Sequence, residues 1–127
     1  MARYIVCGSR TIKLHNRAMK YLLSGLRVDL YMPPSQITIV HGDCAGADTM
    51  AARMAHDLHF RVEPHPARWD THGKGAGPIR NQEMADCGAD AVFAFIDKPL
   101  VESHGTASMV DIARKAKIPV FVIETIA

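Results

Sequence analysis

His41-Gly42-Asp43-Cys44-Ala45-Gly46-Ala47-Asp48-Thr49 stands between the apolar run Ile37-Thr38-Ile39-Val40 and the alanine-rich Met50-Ala51-Ala52-Arg53-Met54-Ala55. That order reads as a strand, a glycine turn and the opening of a helix. Glycines let a backbone come close to a ligand, and the unpaired N–H groups of a helix's first turn, aligned with its dipole, favour an anion such as phosphate. The same residue types also make an ordinary turn with an aspartate cap. The stretch therefore decides the fold first, and its function depends on what the rest of the chain brings beside it.

Upstream, Tyr4 to Cys7 is a short apolar run ended by Gly8-Ser9-Arg10-Thr11. Leu14, Ala18, Leu22, Leu26 and Leu30 then recur at helical spacing until Met32-Pro33-Pro34-Ser35 stops the pattern. The second strand is Gln36 to Val40, and the helix after the glycine turn runs to about Leu58. Phe60-Arg61-Val62-Glu63 reads as a third strand whose polar residues suit a sheet edge. Pro64 to Gly77 has no periodicity and predicts a long loop, a common place for function. Pro78 is placed as the first residue of a helix over Ile79–Cys87, closed by Gly88. Ala91-Val92-Phe93-Ala94-Phe95-Ile96 is continuously apolar, as a strand covered on both faces would be. A second loop, Asp97 to His104, ends at Gly105-Thr106. A helix with Met109, Ile112, Ala113 and Ala116 on one side then leads to Pro119 and a last strand, Val120 to Ile123.

Strands and helices alternate with no repeat, linker or low-complexity tract. This predicts one domain over residues 1–127: a three-layer α/β sandwich around a five-stranded parallel sheet with right-handed crossovers. With strand order 3-2-1-4-5 the sheet reverses direction between the first and fourth strands, and ligands bind beside such a switch point. The glycine-rich turns Gly8 to Thr11, Gly42 to Asp48, Gly73 to Gly77 and Ser103 to Thr106 then share the sheet's carboxyl edge.

At 127 residues, 48% apolar and 22% charged, the chain has the make-up of a globular domain with a real core. No apolar run nears the roughly 20 residues of a membrane span, and the start Met1-Ala2-Arg3-Tyr4-Ile5-Val6 enters a strand without a signal peptide. A cytoplasmic location without membrane contact is expected, and the three cysteines, Cys7, Cys44 and Cys87, fit a reducing compartment. A net charge of +2 and 6% aromatic residues speak against single-stranded nucleic acid, which needs a basic groove with stacking platforms. His41, His65, His72 and His104 fall near the predicted edge. No pair of them has the i, i+4 spacing of a helical zinc site, so no metal is expected.

Ile5-Val6-Cys7-Gly8-Ser9-Arg10-Thr11, His41-Gly42-Asp43-Cys44-Ala45-Gly46-Ala47-Asp48, His65-Pro66-Ala67-Arg68-Trp69-Asp70 and Gly77-Pro78-Ile79-Arg80-Asn81-Gln82 together resemble the YspA, cpYpsA-related branch of the SLOG superfamily, a group common in phages and bacteria. The resemblance implies a Rossmann-like domain that binds nucleotides or NAD-derived and ADP-ribose-like molecules, some of them signals. More distantly, the chain is similar to DNA-processing protein A and to the Lonely-guy phosphoribohydrolases, which cleave the N-glycosidic bond of nucleoside monophosphates. Those hydrolases carry an arginine on the helix before the fourth strand and, after that strand, a Pro-Gly-Gly-x-Gly-Thr-x-x-Glu motif with a catalytic glutamate. Arg80 looks like the arginine and Gly105-Thr106 like the end of the glycine motif. The two preceding glycines are missing and Met109 stands at the glutamate position. A thioether neither activates water nor stabilises an oxocarbenium-like centre, so hydrolysis of that kind requires a substitute from Asp97, Glu102 or Asp43.

Gly8, Ser9, Arg10 and Thr11 offer N–H groups, hydroxyls and a guanidinium for phosphate. Gly42, Gly46 and Ala47 supply close backbone approach. Of the two acids in that loop, Asp43 is assigned to ribose hydroxyls and Asp48 to a capping or dipole role. Trp69 can stack on a base or pin its loop to the body, and Lys74 can reach a phosphate. Arg80, Asn81, Ser103, Gly105 and Thr106 complete the expected ligand set. Cys44 near a helix start is a nucleophile only if a base accompanies it. The function expected is binding, as sensor or sequestering protein, of a nucleotide or NAD/ADP-ribose-derived ligand with no cofactor required. N-glycosidic hydrolysis with a rebuilt carboxylate is the alternative. The apolar last strand and the helix before it are where a homodimer contact is expected.

Overall fold

A computed structural model describes residues 1–12, 16–29 and 31–125. Leu14 and Leu30, the ends of the first helical pattern, lie outside the described residues. Five strands, β1 (Ala2–Gly8), β2 (Ile37–His41), β3 (Arg61–Pro64), β4 (Ala91–Ile96) and β5 (Val120–Glu124), alternate with the helices α1 (Arg17–Asp29), α2 (Ala47–Asp57), α3 (Trp69–His72), α4 (Ala76–Asp86) and α5 (His104–Lys115). All strand pairings are parallel, and the order is β3-β2-β1-β4-β5. The chain is thus a Rossmann-like three-layer sandwich with its switch point between β1 and β4, as the alternation predicts.

The two-residue repeat of the strands sorts the core into two halves. Tyr4 and Val6 of β1, Ile37 and Ile39 of β2, and Phe93 and Phe95 of β4 face Met19 and Leu23 of α1 and Met50, Ala51 and Ala55 of α2. The alternate residues Ile5, Cys7, Val40, Val92 and Ala94 face Met84 and Ala85 of α4 and Met109, Val110 and Ala113 of α5. β4 is buried along its whole length, which is why its sequence shows no polar alternation. Polar β3 takes one edge of the sheet. β5 takes the other, where Phe121 and Val122 remain exposed.

Two stretches are more regular than their sequences indicate. The expected long loop over 64–77 contains α3, a 3-10 turn at Gly73–Gly75 and the first residues of α4. That helix starts at Ala76, so Pro78 is its third residue. A proline is tolerated there because the first N–H groups of a helix have no intrahelical partner. After β4 a 3-10 turn at Leu100–Glu102 leads straight into α5, which puts Gly105 and Thr106 inside its first turn.

Main-chain contacts draw the loops together over the ends of β1 and β4. Ser9 N donates to Phe95 O at 2.9 Å, and Ser9 O accepts Ala47 N at 3.2 Å, the start of α2. This closeness demands glycine on both sides. A Cβ on Gly8 would collide with Phe95 O and the Ala47 side chain, and one on Gly46, whose φ is +80°, would collide with the backbone of Ser9 and Arg10. Gly75, by contrast, has a negative φ, and a Cβ there would meet only Ile79 Cδ1 at an ordinary 3.9 Å. Gly46→Ala should therefore destabilise the chain by about 2 kcal/mol or more, and Gly75→Ala by less than about 0.5 kcal/mol, in urea unfolding. Equal midpoints for the two variants would contradict the packing described.

Candidate ligand site at the switch point

A cavity of about 280 Å³ opens at the carboxyl edge between β1 and β4. Gly8, Ser9 and Arg10 come to it from the first loop, Gly42, Cys44 and Asp48 from the second, Arg80 and Asn81 from α4, and Glu102, Ser103, Gly105 and Thr106 from the approach to α5. Met109, which stands where the resemblance to the Lonely-guy phosphoribohydrolases implies a glutamate, is buried in its wall.

Asp48 fixes the second loop. Although it lies in the first turn of α2, its carboxylate reaches back rather than capping the helix. Oδ2 accepts Gly42 N at 3.0 Å and Cys44 N at 3.3 Å. Burial of this carboxyl pushes its pKa up to about 6, against the pull of the two N–H donors and of Arg80. On the other side of the loop His41 Nδ1 accepts Asp43 N at 2.9 Å, which assigns the ring proton to Nε2. Burial lowers the His41 pKa, so the ring is neutral near pH 7. Asp43 itself has φ +58°, is exposed and does not line the cavity.

Arg80 is buried, at 7% exposure, yet forms no ion pair among the described residues. Its Nη1 donates to Gly42 O, and its Nε donates to Asn81 Oδ1 at 2.8 Å. Cys44 Sγ is 3.7 Å from Nη1. A Cβ on Gly42 would occupy the guanidinium's place, so that glycine is required by Arg80. Asn81 extends the chain of bonds, its Nδ2 donating to Gly105 O at 3.3 Å and Ser108 Oγ at 3.4 Å. One arginine thus presents a positive charge to the cavity with its orientation set by the second loop and α5.

Ser9 Oγ lies 3.3 Å from Ser103 Oγ and accepts Asp97 N at 3.3 Å. Thr11 Oγ1 donates to Asp97 Oδ2 at 2.6 Å. That bond, first among its causes, holds the Asp97 carboxyl below its ordinary pKa. Thr11 and Asp97 therefore serve each other outside the cavity wall. The first intrahelical bond of α5 runs from Ala107 N to Ser103 O at 2.8 Å. It leaves the N–H groups of His104, Gly105 and Thr106 ahead of it at the dipole's positive end.

Gly46 and Ala47 shape the second loop from behind, through their contacts with Ser9 and Arg10. Trp69 and Lys74 stand outside the cavity. The Trp69 ring lies against Gly77 at the start of α4, so it joins α3 to α4. No histidine or carboxylate is hydrogen-bonded to Cys44 Sγ among the described residues, and its bond goes to Gly42 O. Burial raises the pKa of Cys7, which keeps it a thiol. Lys98 and His104 also line the cavity; neither belongs to the expected ligand set, and both stand on the same stretch after β4 as Ser103, Gly105 and Thr106. Met84 and Cys7 also reach the cavity, from positions that read only as core.

Comparison with known proteins gives the family. The profile of the YspA, cpYpsA-related SLOG family matches residues 2–72. The chain belongs to that family. A relative, the Gene 61 protein of Mycobacterium phage D29, is 39% identical over 125 residues, covering 94% of each chain. The match of the SLOG profile spans β1 through α3 and so includes the first two cavity loops.

Asp48 yields a pH-dependent prediction. Its carboxyl binds a proton more tightly folded, near pH 6, than at the ordinary value of 3.8. Stability therefore falls as pH rises through that window and stays lower above it. Asp48→Asn keeps an oxygen for the Gly42 and Cys44 amides and removes the buried charge. Relative to wild type it should gain about 1–3 kcal/mol at pH 8 and little at pH 4. Urea unfolding at both pH values checks this, and a difference independent of pH would contradict it.

Proposed function

We propose that this SLOG protein binds a phosphorylated ribonucleoside, such as a nucleotide or an ADP-ribose-type derivative, as a sensor or sequestering protein. The observation that carries the reading is the buried guanidinium of Arg80, in no ion pair among the described residues, in the wall of a cavity rimmed by glycine-rich loops and the open first turn of α5. An anion is the ligand type that satisfies such a wall, since buried cations need a counter-charge and free N–H groups need acceptors. Family membership supports a nucleotide-related role. The size of the cavity adds a limit. At about 280 Å³ it is at the small end of ligand pockets, roughly 300–1,000 Å³. It accommodates a ribose phosphate with part of a base, while the second half of a dinucleotide extends outward.

Calorimetric titration with nucleoside monophosphates, NAD and ADP-ribose tests this. Binding is expected for at least one of them, weakened about 10–100-fold in Arg80→Met through loss of a charge-assisted contact. No heat across the panel, or equal affinity in Arg80→Met, would contradict the reading.

One observation favours N-glycosidic hydrolysis as a second reading. Glu102 reaches the cavity from the turn before α5, whereas Asp97 and Asp43 do not. Of these three carboxylates it is the one that could stand in for the glutamate that Met109 replaces. Chromatography distinguishes the two readings. A binder returns its nucleotide intact, and a hydrolase releases free base at a rate that Glu102→Gln lowers at least about 100-fold.

A further inference from the structure

Glu63 and His65 are two residues apart, at the end of β3 and just beyond it. Glu63 is in register with Val40, so its side chain shares the sheet face that packs against α4 and α5. Cys87 is the C-terminal cap of α4, on the same side. One donor atom from each of Glu63, His65 and Cys87 lies within 4.8 Å of the other two. None of the three lines the switch-point cavity.

The cluster is held from outside. Arg3 reaches from β1 to the Glu63 carboxylate, Nη1 to Oε1 at 2.8 Å and Nη2 to Oε2 at 2.7 Å, and its Nε donates to Gly88 O at 3.1 Å. His65 Nε2 is 2.8 Å from Glu63 Oε2, and His65 N donates to His41 O at 2.8 Å. Carboxylate and imidazole are thus oriented toward each other, with an exposed thiol beside them.

We propose that Glu63, His65 and Cys87 bind a zinc-type divalent cation. One oxygen, one imidazole nitrogen and one thiolate sulfur form a borderline-soft donor set of the kind zinc takes, and three protein ligands leave a fourth position for water. Distances are compatible. Zinc bonds of about 2.0–2.3 Å place donors of a tetrahedral site about 3.3–3.8 Å apart. Donors as far as 4.8 Å apart close by about 1–1.5 Å through a rotamer change of the exposed Cys87, and the Glu63–His65 pair, 2.8 Å apart, opens by about 0.5 Å. Glu63 turns Oε2 to the ion and keeps Oε1 on Arg3, the outer hydrogen bond that a ligating carboxylate requires. His65 coordinates through Nε2 with its proton on Nδ1. The Cys87 thiol gives its proton to solvent, so one carboxylate and one thiolate balance the ion's charge. The bound ion ties the edge strand β3 to the end of α4.

Titration of chelator-treated protein with zinc alone, and the absorption of cobalt(II) added in its place, test this. The expected result is a single ion per chain, a thiolate-to-cobalt charge-transfer band and the visible bands of a four-coordinate centre. Cys87→Ala and His65→Gln should each lose the bands and weaken zinc binding on the order of tenfold or more, while Cys44→Ser keeps them. Cys87 is exposed, so Cys87→Ala is expected to fold, and circular dichroism verifies it. The proposal is overturned by a wild-type protein without the thiolate band, by unchanged zinc affinity in Cys87→Ala, or by uptake that appears only in Arg3→Met, which would mean that Arg3 holds the carboxylate against the ion.

Discussion

The backbone of Ser9 joins the loops at the carboxyl edge of the sheet. Its N–H continues the β1–β4 pairing to Phe95, its carbonyl receives the first N–H of α2, and its hydroxyl takes Asp97 N and touches Ser103. Such sharing is possible only where the chains nearly touch, and that in turn requires the missing side chains of Gly8 and Gly46. The glycines of this protein thus set the position of one loop against another as much as the shape of any single turn. The cavity is walled by backbone from several elements because those elements share Ser9.

Electrostatics divides the labour between two buried charged side chains. Asp48 spends its carboxylate on the amides of Gly42 and Cys44, so it holds the loop and is itself largely satisfied. Arg80 is bound to a carbonyl and to a neutral amide, Gly42 O and Asn81 Oδ1, partners that fix the guanidinium without neutralising it. Among the described residues no carboxylate is ion-paired with this buried charge, and the proposed function rests on its preference for an anion. Membership of the SLOG family suggests a nucleotide-related role.

Much of this architecture was legible in the sequence because strand periodicity, proline and glycine report local structure directly. The continuous apolar run of β4 marked the sheet's centre, and the polar residues of β3 marked an edge. The helical content of residues 64–77 was not legible. α3 is only four residues long, and α4 begins before its proline instead of at it. In the site, the cavity brings together Gly8, Ser9, Arg10, Gly42, Asp48, Arg80, Asn81, Ser103, Gly105 and Thr106 of the expected set. Trp69 and Lys74 lie apart, because a loop adjacent in sequence to a site need not face it. The reach of Asp48 back to the loop, and the meeting of Glu63, His65 and Cys87, depend on side-chain directions and on pairing between distant segments. Spacing along the chain carries no record of either.

Whether a ligand binds at the switch point is tested most directly by the response of individual backbone amides to an added nucleotide. In nitrogen-labelled protein titrated with ADP-ribose, the account predicts saturable resonance shifts concentrated at Ser9, Arg10, Gly42, Cys44 and His104 to Thr106. Shifts confined to the α1–α2 side of the sheet, or no saturable shift anywhere with ADP-ribose or a nucleoside monophosphate, would contradict it.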